Sequence, residues 1–319
     1  MDKKYVIGVD IGGQTSKLGI VDARGNVVAQ SVIRTDTHED VKLFVKDLGA
    51  AIRALANQVE GGLSSIRGVG MGAPNGNYYR GTIEFAPNLK WKGVVPLAEL
   101  VSAEVGLPVA LTNDANAAAV GEMTYGAARG MKHFIMITLG TGVGSGIVVG
   151  GYVLYGHDGF AGELGHTIQV RNNGRLCGCG RPGCLEAYTS AIGVARTARE
   201  ILETTDKATI LRDIPRDQIT SKDVAEAAAK GDQVAIDIFN FTGNMLGAAI
   251  ADFVAFSSPE AIILFGGLTK AGDLLKKPVI EGLNNNLLAL WKGKVKVEFS
   301  ELKESDAAIL GASALAWEL

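Results

Sequence analysis

Two stretches of this chain repeat one pattern, and the repeat narrows the possible folds sharply. The apolar run Tyr5–Asp10 enters a turn at Gly12-Gly13 and leaves through Lys17–Asp22. It turns again at Ala23-Arg24-Gly25-Asn26 before Val27–Arg34. His133–Leu139 likewise enters Gly140-Thr141-Gly142, leaves through Gly146-Ile147-Val148-Val149, and turns at Gly150-Gly151 before Tyr152-Val153. Runs of Val, Ile and Leu punctuated by glycine read as strand meanders. A repeated strand–turn–strand–turn unit predicts two similar α/β lobes facing one another across a cleft. Such a cleft is a natural ligand site.

Helices fill the spaces between strands. From Asp40 to Val59, apolar residues at Val41, Phe44, Val45, Leu48, Ile52, Leu55 and Val59 mark one buried helical face. Pro96–Val105, Ala115 to about Ala128, Ala187–Glu203, Asp232–Phe256, Leu274–Leu290 and Asp306–Trp317 also read as helices. Ile66–Gly72, Leu107–Leu111, Ala261–Phe265 and Val295–Phe299 read as buried strands. The expected division is a small lobe over residues 1–112 and a larger one over 113–305, with the helix 306–319 packing back on the first.

With 319 residues the chain is long enough for two cores. Its 42 glycines cluster between apolar segments, as expected of many tight turns. The 31 basic and 34 acidic residues balance closely, leaving no broad basic footprint for nucleic acid and no polybasic membrane anchor. The first apolar run is too short for a signal peptide or a bilayer span, so a cytoplasmic protein is expected.

Gly140-Thr141-Gly142-Val143-Gly144 is followed by a strand, not a helix, which separates it from a dinucleotide-binding fingerprint. Such a hairpin can aim backbone N–H groups at a polyphosphate, or it can be a plain turn. Asp10-Ile11-Gly12-Gly13-Gln14-Thr15 occupies the same place in the first repeat. Its Asp10 suits a hydrated Mg²⁺ beside phosphates, or simply satisfies the turn. His166, Cys177, Cys179 and Cys184 supply four soft ligands with none left over, the donor set of a closed structural Zn²⁺ site. The alternative is three buried thiols in an irregular loop. Asp114 stands where a strand meets a helix, as a cap or as a base at the mouth of the cleft.

These motifs together resemble the ROK family of bacterial sugar kinases and related repressors, built on the actin/hexokinase-type ATPase fold. The resemblance is carried by Asp10-Ile11-Gly12-Gly13, Asn113-Asp114-Ala115-Asn116-Ala117, Gly140–Gly144, Gly162-Glu163-Leu164-Gly165-His166, and the block from Cys177 to Glu186. It implies an ATP-dependent hexose kinase in which Asp114 accepts the proton of the sugar 6-hydroxyl. Asn88, Asn113, Glu163, His166 and Glu186 would hold other sugar hydroxyls, with the Ala73-Pro74-Asn75-Gly76 loop closing over them. Gly12, Gly13, Gly140, Thr141 and Gly142 would bracket the phosphates, and Gly266-Gly267 would lie near the adenosine. The family usually has Thr then Lys or Asn after the paired glycines, where this chain has Gln14-Thr15. Glucose is the expected substrate, with an N-acetylhexosamine as the rival. A sugar-responsive repressor is disfavoured, since the first strand begins by Tyr5 and leaves no room for a DNA-binding module ahead of it. The resemblance also implies a homodimer or homotetramer.

Overall fold

The computed structural model describes residues 3–319, and Met1 and Asp2 lie outside it. The first meander forms β1 (Tyr5–Ile11), β2 (Thr15–Asp22) and β3 (Val27–Arg34), followed by α1 (Val41–Ala56) and β4 (Ile66–Gly72). Short strands β5 (Gly76–Asn77), β6 (Thr82–Glu84) and β7 (Val94–Val95) follow, then α2 (Leu97–Val105), β8 (Val109–Thr112) and α3 (Asp114–Tyr125). The second meander is β9 (Phe134–Leu139), β10 (Val143–Val149) and β11 (Tyr152–Val153). After it come α4 (Glu186–Thr189), α5 (Ala191–Thr204), α6 (Ser221–Ala229), α7 (Gln233–Ser257), β12 (Ala261–Phe265), α8 (Asp273–Asn286), β13 (Lys296–Phe299) and α9 (Glu304–Leu315).

The two larger sheets share one strand order. The first runs β3-β2-β1-β4-β8 and the second β11-β10-β9-β12-β13. In each, the meander is antiparallel where its pairing is defined, and the two added strands run parallel to the first strand of the meander. The duplicated α/β fold expected from the repeat is therefore what the chain forms. A three-stranded sheet of β5, β6 and β7 has no counterpart in the sequence reading, because its strands are two or three residues long and carry no periodicity.

By contacts the chain divides into two compact units. The first comprises residues up to Met131, Gly146–Gly162 and Ser300–Leu319; the second comprises Lys132–Ser145 and Glu163–Phe299. This differs from a division at residue 112, since α3 lies in the first unit. The reason is packing. A β-carbon on Gly121 of α3 would fall 2.7 Å from the Cα of Gly311 in α9, so the two backbones are in contact there.

In the first unit, Phe44, Leu48 and Ile52 of α1 join Ile7, Val9, Leu18 and Ile20 in one core. On the sheet's other face the packing is closer. Gly8 and Gly70 are register partners in β1 and β4. A β-carbon at Gly8 would lie 2.1 Å from the carbonyl oxygen of Ile309, and one at Gly70 would lie 1.9 Å from that of Ala312. These glycines sit inside strands, so they serve close approach and not turns.

In the second unit the continuous helix read over Ala187–Glu203 is broken. Ser190 is extended (φ −77°, ψ 170°) and its Oγ accepts from the Gly193 N–H, which ends α4 and caps α5. Among the described residues α7 is the one helix long and apolar enough to cross a membrane. Its Val234, Ile238, Leu246, Ile250 and Val254 are buried, and Gly247 meets the carbonyl of Val279 in α8.

Gly70→Ala is expected to lower unfolding stability by about 1–3 kcal/mol, because the new methyl must displace the α9 backbone. Urea unfolding with a midpoint equal to the parent's would contradict this packing.

Candidate active site

The first unit carries Asp10, the Gly12–Thr15 turn, Asn88, Asn113 and Asp114. Asp10 is the penultimate residue of β1, and in the turn that follows Gly12 N–H donates to the carbonyl of Thr15 at 3.0 Å. A β-carbon on Gly13 would lie 2.7 Å from the carbonyl oxygen of Asn88, so the structure brings Asn88 against this turn. Gln14 and Thr15 have exposed side chains, and Gln14 uses its carbonyl to accept from Thr35 N–H at 2.9 Å.

The cap of α3 is Asn113, not Asp114. Asn113 is extended (φ −72°, ψ 162°) and its Oδ1 accepts from Asn116 N–H at 2.7 Å. Asp114 is thus the first helical residue, where a negative charge is favoured by the helix dipole. Its Oδ1 accepts from Ala115 N–H at 2.8 Å. The residue has solvent access, yet protein crowds it, and the lost hydration raises its carboxyl pKa. Asp10 feels both effects: burial first, then the facing charge of Asp114, push it up to about 6 against the opposing pull of Lys17. The loop expected to close over the sugar packs at the end of β8, with Ala73 N–H donating to Thr112 O at 3.0 Å.

The second unit carries Gly140, Thr141, Gly142, Glu163, His166, Glu186, the three cysteines, and Gly266-Gly267. Glu186 opens α4 and reaches the glycine turn, where its Oε2 accepts from Val143 N–H at 2.9 Å. A β-carbon on Gly142 would lie 2.4 Å from that oxygen, so only glycine leaves room for the contact. Gly144 N–H donates to Thr138 Oγ1 at 3.1 Å, and Gly140 O accepts from Ala191 N–H at 2.9 Å. Gly266 (φ 109°) ends β12 against the backbone of Leu139, which places it beside the strand that enters the same turn.

The ligand atoms of His166, Cys177, Cys179 and Cys184 lie within 4.8 Å of one another. His166 Nδ1 and Cys177 Sγ are 3.7 Å apart, and the Sγ atoms of Cys179 and Cys184 are 3.6 Å apart. Tetrahedral zinc bonds of roughly 2.0–2.3 Å give edges of about 3.3–3.8 Å, so these two separations, and four soft donors gathered this closely, are compatible with that ion. The other ring nitrogen of His166 faces Glu163, with Nε2 and Oε2 4.0 Å apart. Cys177 Sγ donates to Glu186 Oε1 at 3.3 Å. Burial pushes the Cys177 thiol up to about 12, and the Glu186 carboxylate adds to it. For Cys179 burial is outweighed by hydrogen bonds from Arg181, which bring it down to about 7.

Two contacts carry no signal in the sequence. Lys17 stands directly across from Asp10 in the β1–β2 register, a relation visible only once the hairpin is aligned. Glu186 accepts from the glycine turn as well as from Cys177, although it lies 43 positions from Val143.

The two sheets of one strand order, with acid-ended and glycine turns, define a duplicated actin-like ATPase architecture. The ROK family model matches residues 6–318, and the chain belongs to that family. A glucokinase of Streptomyces coelicolor is 38% identical over 320 residues, spanning 98% of this chain and 97% of its own. A ROK family glucokinase from Streptomyces griseus, solved with glucose and AMPPNP, is 36% identical with a TM-score of 0.81, covering 99% of this chain and all of that one. A solved ROK family transcriptional regulator, a homologue of an Escherichia coli protein, is 25% identical with a TM-score of 0.87. It matches 98% of this chain, which spans 78% of the regulator.

Asp10 is expected to titrate near pH 6 in the ligand-free protein. Asp114→Asn removes the facing negative charge and lowers that value, as carboxyl carbon-13 shifts would report. An unchanged or higher value would contradict the juxtaposition. Since the folded-state pKa is raised, ionised Asp10 costs stability, and that cost relaxes as pH falls through about 6.

Proposed function

We propose that this chain is an ATP-dependent hexose kinase that phosphorylates the 6-hydroxyl of glucose or a close relative. The observation that carries the reading is Asp114. Asn113 caps the helix, which leaves the Asp114 carboxylate open to solvent with a raised proton affinity. A base with these properties can take the hydroxyl proton as the oxygen attacks the γ-phosphorus. Full-length similarity to glucokinases supports the same reaction. Phosphoryl transfer passes through a loose transition state, so positioning and charge neutralisation are most of what the protein must supply.

In this reading Asp10 holds a hydrated Mg²⁺, which neutralises phosphate charge when bound. Gly12, Gly13, Gly140, Thr141 and Gly142 leave backbone room for the phosphates, and Gly266-Gly267 flank the adenosine. Gln14 and Thr15 offer exposed polar groups in the place of the family's usual pair. Asn88, Asn113, Glu163, His166 and Glu186 hold the sugar. A structural Zn²⁺ on His166, Cys177, Cys179 and Cys184 would orient the His166 ring toward Glu163. With Cys177 a thiolate, Glu186 Oε1 no longer accepts from it and is available to a sugar hydroxyl. We further propose that the enzyme is cytoplasmic and works as a homodimer or homotetramer.

Coupled ADP release across glucose, mannose, fructose, N-acetylglucosamine and N-acetylmannosamine tests the reading, with glucose expected to turn over best. Turnover confined to the N-acetylated sugars would replace glucose, and none with any hexose would overturn the kinase. Asp114→Asn should reduce kcat by about 10²–10⁴-fold while calorimetry shows glucose binding retained. The purified protein should hold one zinc per chain, and removing it should raise the KM for sugar. A metal assay showing no zinc would exclude that part.

A further inference from the structure

Arg175 stands two residues before Cys177 and has no place in the sugar, phosphate or metal sets above. Its side chain is 10% exposed, and each of its nitrogens has a partner. Nε and Nη2 donate to Glu200 Oε2 at 3.0 and 2.5 Å. Nη1 reaches the carbonyls of Ala187 and Gly193 at 3.2 and 3.4 Å and Thr197 Oγ1 at 2.9 Å. Its Cζ lies 4.6 Å from the centroid of the Tyr188 ring. The backbone is tied as well, with the N–H donating to the Tyr188 hydroxyl and the carbonyl accepting from Gly183 N–H, each at 2.8 Å.

These partners sit at a joint. Ala187 and Gly193 flank the Ser190 break between α4 and α5, while Gly183 directly precedes Cys184. Glu186, at the head of α4, accepts from both Cys177 and Val143. One side chain therefore links the loop that carries the cysteines to α5 and to α4, which carries Glu186. A lysine has no planar fork to serve a carboxylate and two carbonyls at once, and it stacks less well on an aromatic ring.

We propose that Arg175 is a positioning residue, a clasp that holds the cysteine loop on α4 and α5 so that Cys177, Cys184 and Glu186 keep their arrangement. The inference rests on the metal reading above and acts through those residues, not on substrate. Release of zinc from the loaded protein to excess chelator tests it in the parent, Arg175→Lys, Arg175→Met and Arg199→Met. Arg199 lies on α5, donates to Ile219 O and serves as the control.

Both Arg175 variants are expected to release zinc about 10–100-fold faster than parent and control, with lysine giving no rescue. The KM for sugar should rise while kcat changes little. Release at the parent's rate in both variants overturns the proposal. If Arg175→Met does not fold, Tyr188→Phe, which removes only the hydroxyl that accepts the Arg175 N–H, gives the same test, with faster release supporting the clasp and parent-like release overturning it. If the parent holds no zinc, the metal reading falls. Amide exchange over residues 176–184 then decides, with faster exchange in Arg175→Lys supporting the clasp and equal exchange overturning it. Neither readout needs turnover, so a parent that phosphorylates no hexose bears on the kinase reading alone.

Discussion

Gly8 and Gly70 lie side by side in neighbouring strands, and with no β-carbon at either position the backbone of α9 rests directly on the sheet. That approach fixes α9, and α9 in turn meets α3 backbone to backbone at Gly311 and Gly121. Asp114 is the first residue of α3. The placement of the candidate base therefore depends on a chain of glycine contacts that begins in the core of the first sheet. Close-packed protein interiors transmit a displacement of a methyl group's size, because voids that could absorb it are few.

Around the cysteine loop of the second unit, the contacts that join it to α4 and α5 are polar. Glu186 satisfies a turn N–H with one oxygen and a thiol with the other, and Arg175 satisfies two carbonyls at the joint between α4 and α5. Buried polar groups are costly when unpaired, so each such partner restricts the loop to the conformations that keep all of them paired. The cysteine loop has few large apolar side chains of its own, with Leu176 67% exposed, and is held mainly by these bonds.

Much of the fold was legible before the structure. The apolar stripe read from Asp40 to Val59 forms α1 over Val41–Ala56, and Ile66–Gly72, read as a buried strand, forms β4. The readings that changed are those where spacing is silent. Ser190 sits inside an otherwise helical pattern and breaks it, because its hydroxyl competes for a backbone N–H. Gly8 and Gly70 lie in runs read as strands, and only the packing of α9 shows why neither carries a β-carbon. Asp114 looks like a cap in sequence, while the neighbouring Asn113 takes that role through its bond to Asn116.

The sequence by itself determined the duplicated meander, the four metal-type ligands and the order of the motifs, since each is a matter of residue type and local spacing. Tertiary structure alone decided which groups meet: Lys17 opposite Asp10, the Asp10 carboxyl raised by Asp114, Glu186 against Val143, and Arg175 across α4 and α5. These pairings join residues as much as 104 positions apart, as Asp10 and Asp114 are. Local spacing cannot encode them, because they exist only once the strands are in register and the helices are packed.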